Sequence, residues 1–338
     1  MSARPSLAPQ SGSRRLRLGF IGLGWIGRRR LDAIAERSDV SVAVLSDADA
    51  PRLDAAAAIY PDARTQVDFD AVLECDVDGV VIATPNANHS AQAIACLSRG
   101  IPVFCQKPLA IDAAETARVL EAAAAAERLL AVDYSYRHVR GMPELRRRIG
   151  AGELGEISAI DLVFHNAYGP NKAWCFDRNR SGGGCLLDLG IHLVDLASWL
   201  QGSPGMEVAS SRLFSRGRRA APGDIEDLAF VEIRQDNGAL VRVACSWNAQ
   251  IGCDAQISAQ IHAMRGGALW RNLNGSFVNF QVDLFRGNTR EELGISLDDW
   301  GPGALSAWIE RLHIDSSFDP DAWDVLTGAR LIEQAYLA

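Results

Sequence analysis

Short apolar runs alternate with helical stretches through the first part of the chain. Residues 16–21 (LRLGFI) run into glycines, and 40–45 (VSVAVL) is a β-branched strand closed by Ser46-Asp47. Residues 79–83 (GVVIA) end at Thr84-Pro85, and 102–105 form a fourth strand. Residues 28–37, 51–60, 90–99 and 113–130 have helical composition between and after them. Strands alternating with helices predict βαβ units and a parallel sheet. After about Arg137 the rhythm changes. Residues 157–166, 208–214, 228–235, 239–247, 257–263 and 277–285 read as strands, interrupted by one helix over about 183–200. Val241, Val243, Cys245 and Trp247 alternate with Arg242, Ala244 and Ser246, the period-2 mark of an antiparallel sheet with one covered face. A last helix is expected over 322–336. The predicted fold class is α/β, a doubly wound parallel-sheet domain followed by an α+β domain with an open-faced, mostly antiparallel sheet. Residues 1–15 read as a flexible tail, 16–136 as the first domain and 137–338 as the second.

The first glycines carry chemistry. Gly22-Leu23-Gly24-Trp25-Ile26-Gly27 is a G-x-G-x-x-G that follows a strand and opens a helix, and Asp47 closes the next strand. That context is what a dinucleotide site requires, so the first domain reads as a Rossmann domain. The first Gly allows the turn, the second lets backbone N–H groups approach a pyrophosphate, and the third lets helix and strand pack closely. Asp47 would accept hydrogen bonds from ribose hydroxyls and repel a 2′-phosphate, which favours NAD over NADP.

Composition narrows the classes. With 48% apolar and 22% charged residues the chain is neither disordered nor membrane-resident. A net charge of −8 disfavours a nucleic-acid partner. The 7 cysteines are odd in number and show no Cys-x-x-Cys spacing. That excludes a disulfide framework and a zinc site, and points to reduced thiols in a cytoplasm. Arg14-Arg15 ahead of the apolar run 18–27 faintly suggests an export signal, but glycines and Arg28-Arg29-Arg30 break that pattern. Of 34 basic residues only Lys107 and Lys172 are lysines. A Lys retained where Arg is the rule suggests a position that guanidinium cannot serve. For Lys172 alone, chance is the better account.

Asp188, His192 and Asp195 would share one stripe if 184–200 is a regular helix. That helix is apolar nearly all round, so its ionisable stripe must line a site or be paired internally. Gly182-Gly183-Gly184 ahead of it would leave room for a ligand. An Asp-His pair at this spacing also serves as a plain structural hydrogen bond. Asp195 reads as a structural partner, and a metal site is not expected.

Further motifs follow in chain order: Ala83-Thr84-Pro85-Asn86-Ala87-Asn88-His89, Gln106-Lys107-Pro108, Tyr136-Arg137, Gly152-Glu153-Leu154-Gly155-Glu156-Ile157, and the segment from Gly182 to Asp195. Together they resemble the glucose–fructose oxidoreductase / inositol dehydrogenase / rhizopine catabolism family of NAD(P)-dependent sugar and polyol dehydrogenases, from Leu16 to the C-terminus. The resemblance implies that Lys107, Asp188 and His192 surround the reacting carbon, with His192 or Lys107 as the base and Asp188 hydrogen-bonding either His192 or the substrate. It also implies cofactor contacts from Thr84, Pro85, Asn88, His89, Gln106 and Lys107. Substrate contacts would come from Tyr136, Arg137, His165, Asn171 and Trp174, besides Asp188 and His192. The family's Glu-Lys-Pro stands here as Gln106-Lys107-Pro108, which removes a negative charge beside the lysine. A cytoplasmic dehydrogenase of a sugar, polyol or related cyclic alcohol is the leading expectation. The alternatives are a glycosidase that oxidises its sugar transiently and a non-catalytic NAD-binding regulator. Leu228, Phe230, Leu240, Val241, Val243 and Trp247 exceed what one covered face needs, so a homodimer or homotetramer through the second sheet is expected.

Overall fold

The computed structural model of the chain describes residues 14–297 and 301–338. Residues 1–13 of the expected tail lie outside the described residues, whereas Arg14 is tied to Asp78 (2.7 Å) and Arg15 to the Val40 carbonyl (2.5 Å). Six strands come first: β1 (Leu16–Ile21), β2 (Val40–Ser46), β3 (Arg64–Gln66), β4 (Gly79–Ile82), β5 (Val103–Cys105) and β6 (Leu130–Val132). They form one parallel sheet in the order β3-β2-β1-β4-β5-β6. The order reverses between β1 and β4, which opens a crevice at the carboxyl ends of the strands where ligands of such sheets bind. The helix expected to continue to residue 130 stops at Ala126, because Glu127 turns left-handed (φ 50°) and releases Leu130–Val132 into the sheet.

Nine strands follow: β7 (Ile157–Asn166), β8 (Met206–Ser215), β9 (Arg218–Arg219), β10 (Leu228–Gln235), β11 (Leu240–Ser246), β12 (Ala255–Ala263), β13 (Gly267–Asn272), β14 (Phe280–Arg286) and β15 (Thr289–Ser296). Their order is β15-β14-β13-β12-β7-β11-β10-β8-β9, antiparallel except for the β7–β11 pair. The helix Ile191–Gln201 lies on one face, and all ten residues from Ile191 to Leu200 are buried. The stretch Arg178–Gln201 is long enough to cross a bilayer, yet the most apolar 18-residue window in it is 94% buried inside the protein and serves as a core helix.

Two expectations need correction. Val241, Val243 and Trp247 face inward with the core, so only Leu228, Phe230 and Leu240 of the expected apolar set point to the open face. That face also carries charge: Arg242 pairs with Asp161 (2.5 Å), which in turn holds His262 (3.2 Å). Nor was the helix Pro302–Ile314 anticipated. It returns from the second segment to the first sheet, burying Leu305, Trp308, Ile309 and Leu312 against Leu18, Phe20, Val81 and Phe104.

The triple glycine also serves a different end from the one expected. A Cβ on Gly183 would lie 2.1 Å from the Tyr336 hydroxyl, and one on Gly184 would lie 2.0 Å from the Glu226 carbonyl oxygen. Space is needed for protein, not for ligand. The buried Glu226 carboxylate accepts from the N–H groups of Gly184 (3.1 Å) and Leu186 (2.9 Å) and from the Tyr336 hydroxyl (2.9 Å). It thereby fastens the start of the buried helical segment. Gly184→Ala is expected to lower the free energy of unfolding by about 1–3 kcal/mol, the usual loss for overpacking. Urea denaturation with an unchanged midpoint would refute this packing account.

Candidate active site

The glycine loop meets the requirements of a dinucleotide cradle. Gly22 adopts φ 87°, and a Cβ there would lie 2.6 Å from the Ala83 carbonyl; one on Gly27 would lie 1.9 Å from the Gly22 oxygen. Those two glycines are fixed by turn geometry and packing. Gly24 is different, since its Cβ would meet nothing within 4 Å. The helix Trp25–Asp32 starts there, earlier than expected, with no side-chain hydrogen bond from its N-cap residue. Open space before an uncapped helix N-terminus suits a pyrophosphate. Just past β2, Asp47 accepts from the N–H of Leu23 (2.6 Å) and of Asp49 (2.8 Å), which pins its carboxylate beside the loop. Trp25 is exposed at the loop, with the Arg29 guanidinium 5.7 Å over its ring, while Ile26 is half-buried.

The second cluster forms where the chain leaves β5. Lys107 Nζ donates to the Asp188 carbonyl (2.8 Å) and to Asp188 Oδ1 (2.7 Å). Trp247 Nε1 donates to Asp188 Oδ2 (2.9 Å). Burial alone would raise the Asp188 pKa, but the Lys107 charge and hydrogen bond, the indole N–H and the Lys172 charge outweigh it and hold the pKa below the usual carboxylate range. The Asp188 side chain keeps 39% exposure and so remains open to a ligand.

His192 stands apart from that pair. It is buried, and its ring packs against Tyr136 (5.0 Å between centroids), Tyr134 (6.3 Å) and Phe164 (6.3 Å). Its Nδ1 is sealed without a hydrogen-bond partner, so Nε2 is the nitrogen left to meet a ligand. Burial, then the charges of Lys107 and Arg30, push its pKa well below the ordinary imidazole value. It is a neutral imidazole at neutral pH. The expected Asp188–His192 contact is absent because Leu186–Gly190 is a π-helical turn, which breaks the regular i, i+4 register ahead of His192. Asp195 points to a different partner, accepting from Arg137 Nε at 2.9 Å.

Gln106 occupies a buried network. Its amide nitrogen and the Arg30 guanidinium both donate to Asp133 Oδ2, and the Ser135 hydroxyl donates to Asp133 Oδ1 (2.8 Å). A carboxylate at position 106 would present acceptors to an acceptor. The amide is therefore the side chain that Asp133 requires, and Gln106 turns its donor inward rather than to a ribose.

The other expected residues divide. Thr84, Pro85 and Asn88 sit at the turn after β4 on the carboxyl edge, with Thr84 Oγ1 bonded to Gln92 (2.6 Å) and Asn88 exposed. His89 is buried, and its two ring nitrogens face the carbonyls of Pro108 and Thr84, each at 2.8 Å; it braces the backbone beneath Lys107 and cannot touch a cofactor. Arg137 is committed to Asp195, so it is a structural cation rather than a substrate contact. His165 follows Phe164, whose ring meets Tyr136, and the pleat turns His165 to the opposite face of the sheet from His192. Tyr136 is buried against His192. Asn171 is exposed and Trp174 packs at the edge of the core. Lys172 is exposed, its Nζ lies 6.0 Å over the Trp174 ring, and its charge acts on Asp188. Both lysines of the chain thus attend the same carboxylate.

Comparisons with known proteins agree with this layout. Residues 16–134 match the oxidoreductase family with an NAD-binding Rossmann fold, and residues 142–269 match the GFO/IDH/MocA C-terminal domain. The chain is 29% identical over 334 residues to inositol 2-dehydrogenase 4 of Saccharopolyspora erythraea, covering 96% of this chain and 94% of the relative. Among solved structures, GenD2 from gentamicin A biosynthesis, in complex with NAD, superposes with a TM-score of 0.81 at 22% identity, over 98% of this chain and 97% of that one. KijD10, a 3-ketoreductase from Actinomadura kijaniata in complex with NADP, gives 0.80 at 19% identity, over 95% and 96%.

The three fingerprint glycines should separate on substitution. Gly24→Ala is expected to leave the unfolding midpoint in place and weaken dinucleotide binding by at least ~10-fold, because the methyl occupies the pyrophosphate approach. Gly27→Ala should lower stability as well. Calorimetric titration alongside urea denaturation reads both quantities, and equal effects of the two variants would contradict the assignment.

Proposed function

This chain belongs to the GFO/IDH/MocA oxidoreductase family, and from that premise we propose that it transfers hydride between NAD and a secondary alcohol of a cyclic polyol or sugar. The observation that carries this is the convergence of Lys107, Asp188 and His192 on the carboxyl edge that also holds the open cradle at Gly24. The glycine loop and Asp47 would hold the dinucleotide, whose nicotinamide supplies the hydride acceptor when bound. His192, kept neutral by its surroundings, accepts the alcohol proton at Nε2. Lys107 donates a hydrogen bond to the same oxygen and stabilises its developing negative charge. Asp188 keeps the ammonium in place. The low pKa of His192 then favours release of that proton from Nε2 to solvent once the oxidised product has left. Tyr136 walls the imidazole and excludes water from its inner side. Self-association through the open face of the second sheet, around Phe214 and Phe230, belongs to the same proposal.

The direct test is an NAD+ reduction screen over cyclic polyols, aldoses, sugar phosphates and nucleotide sugars. NADH formation with at least one of them is expected. Copurifying cofactor without net NADH would favour the transient-oxidation glycosidase instead. Lys107→Arg should lower kcat by at least ~10²-fold, since a planar guanidinium cannot replace a compact ammonium in contact with both Asp188 and the alcohol. Turnover within about threefold of the unmodified enzyme would show that only charge is needed at Lys107.

Asp47 sets the second expectation. Its carboxylate favours free ribose hydroxyls and opposes a 2′-phosphate, an effect on the order of 1–3 kcal/mol, so NAD+ should bind at least ~10-fold tighter than NADP+. Asp47→Ala should narrow the gap. Equal dissociation constants for the unmodified protein, measured by calorimetry, would overturn the preference.

A further inference from the structure

Each oxygen of the Asp188 carboxylate is taken by a different element: Oδ1 by Lys107 and Oδ2 by the Trp247 indole. Trp247 follows β11, is 1% exposed, and its own N–H donates to the Asp227 carbonyl at 2.9 Å. Phe176 closes over it edge-on, with 5.8 Å between ring centroids. The backbone of Trp247 is thus tied to Asp227, and its indole is held between Phe176 and the Asp188 carboxylate. An indole N–H is a donor only and carries no charge, so it suits an ionised acceptor and does not compete with the lysine. Without it, the carboxylate side chain would keep Lys107 as its one hydrogen-bond partner and lose its fixed orientation.

We infer that Trp247 is a positioning residue of this site: its indole N–H fixes the Asp188 carboxylate in the orientation that meets Lys107. The inference rests on Lys107, Asp188 and His192 acting as proposed above. The indole thus serves the ion pair, while the neutral imidazole of His192 stands outside it. The charged and titratable groups around Asp188 are Lys107 after β5, Lys172 and Cys175 at the turn Ala173–Phe176, Tyr136 in the turn Ser135–His138, and Cys185 on its own segment. Only the two lysines among them can offset loss of the indole donor, and neither replaces its fixed direction. Removing the donor lets Asp188 take up a proton at higher pH, which breaks the pair with Lys107 from the acid side.

Trp270 supplies an internal control. It is as buried as Trp247 and lies in the neighbouring aromatic cluster of Tyr136 (4.9 Å between centroids) and Phe280 (5.1 Å), but its Nε1 has no partner. Trp247→Phe and Trp270→Phe both remove an indole from the core, and only the first removes a hydrogen bond to Asp188. Trp247→Phe should lower kcat by at least ~10-fold with the KM for NAD+ within about twofold, and should move the acid limb of the kcat–pH profile up by roughly half a unit or more. Trp270→Phe should leave that limb in place. A second readout needs no turnover. Among the 8 indole N–H resonances of the nitrogen-15-labelled protein, the one lost in Trp247→Phe should shift on Asp188→Asn and titrate in acid. An indole signal indifferent to Asp188→Asn, or acid limbs that coincide in the two Phe variants, would overturn the inference. Lack of NADH formation by the unmodified protein would instead overturn the proposed function, while the indole spectrum still decides the positioning.

Discussion

The ion pair between Lys107 and Asp188 joins the two halves of the molecule at the point where their polar groups can least be left alone. Lys107 leaves the parallel sheet, and Asp188 sits on a helical segment whose neighbours are almost all apolar and buried. A lone carboxylate or ammonium at such a place loses hydration that only a partner of opposite charge and good geometry can replace. The pair uses both the carbonyl and the carboxylate of Asp188, so it fixes the backbone of the π-helical turn as well as the side chain. Asn86, donating to the Ser181 carbonyl at 2.8 Å, ties the same two halves just before that segment. Glu226 holds the segment from its other side through the N–H groups of Gly184 and Leu186.

Three ionisable residues on this segment meet three different fates. Asp188 is held ionised by Lys107 and Trp247. Burial raises the Asp195 pKa, and the Arg137 charge and hydrogen bond oppose that shift. His192 receives no carboxylate and lies near two cations, so the neutral form is the one its surroundings permit. Residues close together on one helical segment therefore differ in protonation behaviour, because their partners come from distant parts of the chain.

Much of the fold and part of the site were legible in the sequence, for physical reasons that also mark the limit. The glycine fingerprint and the central strands are local: a turn, a close approach and an apolar run leave their mark within a few residues. Side-chain partnership on 184–201 was not local. A regular helix predicts that Asp188 faces His192, and one π-helical turn cancels that prediction without any distinctive residue to announce it. His165 was recoverable, since it alternates with Phe164 along β7, and strict period 2 sends the two to opposite faces. The same period 2 would have assigned Val241 and Val243 inward and left only Leu228, Phe230 and Leu240 outside. Strands such as Arg64–Gln66 were too short and polar to show any pattern. The helix Pro302–Ile314 did carry one: Leu305, Trp308, Ile309 and Leu312 stand at i, i+3, i+4 and i+7 behind a proline.

Gln106 shows how the charges around the centre are balanced. Arg30 neutralises Asp133, Lys107 neutralises Asp188, and Arg137 neutralises Asp195. Three ion pairs surround His192, which is itself uncharged. A glutamate at position 106 would set a fourth carboxylate directly against Asp133, and the amide avoids that while keeping the donor Asp133 needs. With each fixed charge paired, the charge that develops on a reacting oxygen is the one change the site must answer at the moment of reaction. Lys107 is placed to answer it, because its ammonium has a third N–H beyond the two that bond Asp188.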